Sequence, residues 1–258
     1  MKRLLTALTA AVIGFGAPAL ADLPDILSAG VVKIAVPENF PPFGSLGMEG
    51  EYVGYDVAVA QMIADDLGVE LELVPVTSNQ RIPYLETDRV DLVISSMGAN
   101  PERAKSILFS AAYAPFYSGA FAAPDVAVST VDDLAGMTVG LTGGTLEDLA
   151  LTDMVPEGTE IIRFGDNAAT LAAYTSGQVD VLVTGNTVAA QLAADNPDMD
   201  LETKFIVSDS PCFIGVKKGN WELLQWVNVF ILNKKLNGSL NALSQEWFGQ
   251  DLPPLPTL

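Results

Sequence analysis

Short apolar runs rich in β-branched residues alternate with stretches of helical spacing along most of this chain. Residues 31–36 predict a strand, and 69–76 alternate apolar and polar with period two, which predicts a second. Between them Asp56 is placed to N-cap a helix running to about Leu67, with Gly68 ending it. Residues 82–85 predict a helical turn and 90–94 a buried strand. After Tyr113 the pattern restarts. Strands are predicted at 138–141, 161–164 and 179–183, with helices opening at Thr145 and covering 168–174 and 187–194. From Asn220 onward the spacing predicts helices and then a proline-rich tail. Such alternation predicts an α/β fold with mostly parallel sheets flanked by helices.

The segment 85–95 is echoed by 174–184, with Val90-Asp91 matching Val179-Asp180. In each, a helix end and a tight turn lead into Val-Asp, three apolar residues and a hydroxyl. Either this is the ordinary likeness of two βα units, or the chain holds two similar lobes. In the second case each lobe places a loop at the carboxyl edge of its sheet, where open α/β sheets bind ligands. Two such edges facing each other make a cleft that closes by hinge motion.

Composition narrows the function. Residues 1–21 read as an export leader: Lys2-Arg3, an apolar run from Leu4 to Gly16, and Ala19-Leu20-Ala21 before Asp22. The expected product is periplasmic and begins at Asp22. Export removes Lys2 and Arg3 and no acid, taking the net charge from −19 to −21. That balance argues against nucleic acid and anionic membrane surfaces as partners. Cys212 is the one cysteine, so no intrachain disulfide forms, and its apolar neighbours predict a buried thiol. The absence of histidine excludes a Ser-His-Asp triad, a Cys-His pair and any His-ligated metal.

The loop Ser95-Ser96-Met97-Gly98-Ala99-Asn100 follows the 90–94 strand and leads to Arg103. With 13 basic residues against 32 acidic ones, an arginine there stands out. It is either a surface residue paired with Glu102 or a planar fork for a carboxylate.

Further residues carry a resemblance over nearly the whole chain: Phe40-Pro41-Pro42-Phe43, Gly54-Tyr55-Asp56-Val57, Ile82-Pro83-Tyr84-Leu85, Pro101-Glu102-Arg103-Ala104-Lys105, Asp133-Leu134-Ala135-Gly136, Gly144-Thr145, Ser176-Gly177-Gln178-Val179-Asp180 and Trp247-Phe248-Gly249. With these the chain resembles the bacterial extracellular solute-binding proteins of the polar amino acid type, the receptors of ABC importers. The resemblance implies a type II periplasmic-binding-protein fold of two α/β lobes with the ligand cleft between them. Lobe one would hold about 22–116 and 212–258, rebuilt by the helices carrying Trp221, Trp226 and Trp247. Lobe two would hold about 117–211. It also implies a monomer without cofactor or metal that delivers a small carboxylate ligand to permease subunits.

By the same resemblance Arg103 clamps the ligand α-carboxylate, helped by Ser96, Gly98 and Asn100. Phe40 packs on the ligand, and Gly144, Thr145 and Leu146 offer amides from the second lobe. Three departures from the family pattern stand out: Ala58 replaces a second acid after the Gly-Tyr-Asp motif, Gly98 and Asn100 stand where hydroxyl residues are usual, and the third is the largest. The acid that usually holds the α-ammonium, five residues past the second Val-Asp, is here Gly185, followed by Asn186. Either Glu38 or Glu147 replaces it, or Asn186 and backbone carbonyls suffice, or the ligand carries a substituent on that nitrogen, for which glycine leaves room. An alternative on the same scaffold is an exported enzyme resembling cyclohexadienyl dehydratases, with Glu38 as the acid nearest the chemistry.

Overall fold

The computed structural model describes residues 22–257, so the leader and its cleavage site lie outside the described residues. Helix α1 (Leu23–Ala29) starts at Asp22, whose carboxylate accepts from Leu23 N at 2.8 Å. Strand β1 (Val31–Pro37) leads through a small hairpin, β2 (Ser45–Leu46) and β3 (Tyr52–Val53), to helix α2 (Tyr55–Leu67). Strand β4 (Glu70–Val76), helix α3 (Arg81–Glu86), and strands β5 (Leu92–Val93) and β6 (Ile107–Ala114) follow. The chain then crosses at Pro115-Phe116 into β7 (Tyr117–Ala122), β8 (Thr138–Thr142), α4 (Leu146–Thr152), β9 (Glu160–Phe164), α5 (Asn167–Thr175), β10 (Val181–Gly185), α6 (Asn186–Asp195) and β11 (Glu202–Asp209). It returns at Ser210-Pro211 into β12 (Cys212–Lys217), α7 (Trp221–Leu236) and α8 (Ser239–Phe248). Ser210 N donates to Phe116 O at 3.0 Å and ties the two crossings together.

The two main sheets have one plan. The first runs β4-β1-β5-β12-β6 and the second β9-β8-β10-β7-β11. In each, the first two pairings are parallel and the last two antiparallel, so the fourth strand alone runs against the others. The echoed segments fill equivalent places as the third parallel strand, β5 and β10. Their aspartates do the same work. Asp91 accepts from Lys33 N at 2.8 Å, and Asp180 accepts from Thr138 N at 2.8 Å, each pinning the third strand to the start of the first.

Helix α2 begins two residues earlier than the capping rule predicts. Gly54, at φ 139°, takes the N-cap, and a Cβ there would lie 2.3 Å from Phe43 O. Asp56 is thereby freed from capping and turned inward. Leu223, Val227, Phe230, Ile231 and Leu240 of α7 and α8 are buried against Val32, Ile34, Val59 and Ile63 beside the first sheet. Trp221, by contrast, is 63% exposed.

Candidate functional site

A cavity of about 150 Å³ lies between the carboxyl ends of the two sheets. Its first wall comes from the chain after β1 (Glu38, Phe40), the start of α3 (Arg81), the loop after β5 (Ser95, Ser96, Gly98) and Arg103. The other wall holds Thr142, Thr145, Leu146 and Glu147 after β8, and Asp166 and Asn167 at the start of α5. Phe116 and Ser210 of the crossings close the back.

Arg103 sits on a single 3-10 turn and is 8% exposed. Its Nη1 donates to Gly98 O and its Nη2 to Gly144 O, both at 2.8 Å. Glu102 pairs instead with Lys105, so the surface ion-pair reading of Arg103 does not hold. Arg81, also buried, donates from Nε to Ser78 O at 3.1 Å and from Nη1 to Ser95 O at 2.8 Å. Among the described residues neither guanidinium is in a salt bridge. Burial, and then the nearby Arg81, pull the Arg103 pKa down to about 9, against the pull of Glu147. The group stays charged at neutral pH and is in no ion pair among the described residues.

Glu147 is the buried acid of the opposite wall. Ser118 Oγ donates to its Oε2 at 3.1 Å. Burial raises its pKa, while its own backbone amide, Ser118, Thr145 and Arg81 hold it down. Glu38 is exposed at the cleft and Phe40 is half-buried, its ring 5.8 Å from that of Phe43.

The structure corrects four of the expected site residues. Gly144 N donates to Asp148 Oδ2 at 2.9 Å, so that amide is taken, and its carbonyl faces Arg103. Asn100 Oδ1 accepts from Arg103 N at 2.7 Å and so shapes the turn. Asn186 Oδ1 accepts from Tyr117 N at 3.1 Å. Gly185 lies under the Phe116 ring, and a Cβ there would come within 2.1 Å of it. None of the four lines the cavity. The room left by glycine at 185 is therefore filled by Phe116 and is not open to a substituent on a ligand nitrogen.

The lobes touch at two glycines. A Cβ on Gly98 would meet Ser210 Oγ at 2.2 Å and Leu146 Cδ1 at 2.3 Å, and one on Gly144 would meet Asn79 Oδ1. Each glycine thus seats a side chain from across the cleft and lets Arg103 bond both lobes. Gly98→Ala is expected to hold the lobes apart and weaken ligand binding by about tenfold. Titration calorimetry decides it. Equal affinity for wild type and Gly98→Ala contradicts the contact.

The loop 95–98 is held from below. Ser96, at φ 42°, donates from N to Asp56 Oδ2 at 2.7 Å, and Tyr113 OH donates to Asp56 Oδ1 at 2.6 Å. Burial raises the Asp56 pKa to about 7, opposed by these bonds and Arg81. The folded protein therefore binds a proton more tightly than the unfolded chain. Its contribution to stability is full below about pH 4 and is lost as pH rises through about 7. In Asp56→Asn that loss is absent. The stability difference between variant and wild type is expected to move in the variant's favour by up to about 1.4 kcal/mol per pH unit across this window. Urea unfolding at several pH values reads it, and a constant difference contradicts it.

Comparison with known proteins places this arrangement. The sequence profile of the bacterial extracellular solute-binding proteins, family 3, matches residues 32–250. The chain belongs to that family. This solute-binding protein is 30% identical over 250 residues to the L-cystine-binding protein TcyJ of Escherichia coli K12, covering 94% of this chain and 93% of TcyJ. It is similar to the cysteine-binding protein from Campylobacter jejuni, with a TM-score of 0.83 and 28% identity over 90% of this chain and 96% of the other. An ancestral amino acid-binding protein described as a precursor of cyclohexadienyl dehydratase matches with a TM-score of 0.81 and 30% identity, over 88% of this chain and 99% of that one. The fold is the two-lobe type II periplasmic-binding-protein fold with its cleft between the lobes.

Sequence reasoning missed Arg81, Phe116 and Asn167 in this solute-binding protein. A scarce arginine directly before the apolar turn 82–85 was a usable signal for Arg81. Asn167 follows the predicted strand 161–164 at its carboxyl end, the same rule that singled out 95–100.

Proposed function

We propose that this protein is the periplasmic receptor of an ABC importer and binds an amino acid or amino-acid derivative through its carboxylate, without chemistry. The observation that carries the reading is Arg103, a buried cation between the lobes that is in no salt bridge among the described residues. Ser96, Thr145 and Leu146 flank the ligand beside it, and Phe40 covers its apolar part. Glu147 takes the ammonium role that Gly185 cannot fill. Residues 22–116 with 212–258 form one lobe and 117–211 the other, and the protein acts as a monomer with permease subunits. Cleavage after Ala21 frees Asp22, which caps α1 and accepts from Leu223 N at 3.2 Å.

A thermal-shift screen over amino acids, opines and small carboxylates tests this reading. Stabilisation by at least one amino acid supports it, and none by any carboxylate contradicts it. The likeness to a dehydratase precursor favours one second reading, an enzyme using Glu38. Incubation with prephenate or arogenate, followed for decarboxylated aromatic product, separates the two.

A further inference from the structure

Asn167 is 6% exposed and lines the cleft, yet neither its Oδ1 nor its Nδ2 has a hydrogen-bond partner among the described residues. No other cleft-lining side chain among them carries a buried polar atom in that state. Its neighbours do not need it. Asp166 Oδ1 already accepts from Ala169 N at 2.8 Å and caps α5, and the Thr142 and Thr170 hydroxyls bond each other at 2.7 Å. A buried amide left bare on both sides costs free energy that a ligand can restore.

The chemistry of that ligand group follows from the pair of atoms. A carboxylate satisfies Nδ2 alone, because it only accepts. An ammonium or guanidinium satisfies Oδ1 alone, because it only donates. A carboxamide or ureido group presents a donor and an acceptor side by side and satisfies both. Exchanging the oxygen and nitrogen positions of Asn167 leaves this conclusion unchanged, since both are unpartnered. We propose that Asn167 is the specificity-determining residue of the cleft and selects an amino acid whose side chain ends in a carboxamide or ureido group. This rests on the reading of the cleft as an amino-acid site.

Titration calorimetry with glutamine, asparagine, citrulline, glutamate, methionine and arginine tests it. At least one of the first three is expected to bind wild type about tenfold or more tighter than glutamate and methionine. Asn167→Ala is expected to bring those affinities within about threefold of one another. Asn167→Asp, nearly isosteric, replaces the donor by acceptors and is expected to shift preference toward arginine. Wild type that binds glutamate or methionine as tightly as the amides overturns the selection and leaves the amino-acid site standing, as does Asn167→Ala that keeps the amide preference. Binding of none of the six by wild type overturns both.

Discussion

Arg103→Ala is expected to weaken binding of the best amino-acid ligand by roughly 150- to 4,000-fold. The guanidinium is buried, is in no salt bridge among the described residues, and bridges the lobes through Gly98 O and Gly144 O. Removing it leaves a ligand carboxylate in a desolvated cleft without its cation, a loss of about 3–5 kcal/mol. It also removes the cross-cleft bond to Gly144 O, which favours closure. Arg103→Lys keeps the charge but not the planar fork, so it recovers only part of the affinity. Calorimetry on both variants checks this. Binding within a few-fold of wild type in Arg103→Ala contradicts the carboxylate clamp.

Gly185→Asp, the change that restores the family's usual acid, is expected to damage folding instead of widening the ligand range. Its Cβ would lie 2.1 Å from two atoms of the Phe116 ring, at a buried position at the end of β10. Overpacking of this kind costs about 1–3 kcal/mol, and a carboxylate forced under an aromatic ring adds a desolvation cost. A total of about 3 kcal/mol or more lowers the melting temperature by roughly 6–12 °C in a chain of this size. A melting temperature within about 2 °C of wild type contradicts the packing.

These two positions show what the sequence makes legible. The order of elements follows from apolar periodicity, because strand and helix impose periods of two and 3.6 on whichever face is buried. The likeness of 85–95 and 174–184 is legible for the same reason. Two sheets of one plan need the same tie between third and first strands, and Asp91 and Asp180 supply it. Arg103 is conspicuous because the chain has few bases.

What stays hidden is set by residues distant in sequence. That Phe116 fills the space over Gly185 depends on the crossing between lobes, which no local pattern encodes. Arg81 owes its importance to burial beside the cleft and Asn167 to burial without a hydrogen-bond partner among the described residues, which only the folded chain defines. Asp56 shows the converse: its sequence context predicts a helix cap, but Gly54 takes that place and the carboxylate holds the loop 95–98.

The most direct measurement compares one ligand with and without its anion. The amino acid that binds wild type best is titrated alongside its α-carboxamide, which keeps the ammonium and side chain and removes the charge facing Arg103. Binding of the acid with a loss of about 100-fold or more for the amide is the expected result. Equal affinity for the two would place the carboxylate away from Arg103 and contradict recognition by the cleft's buried cation.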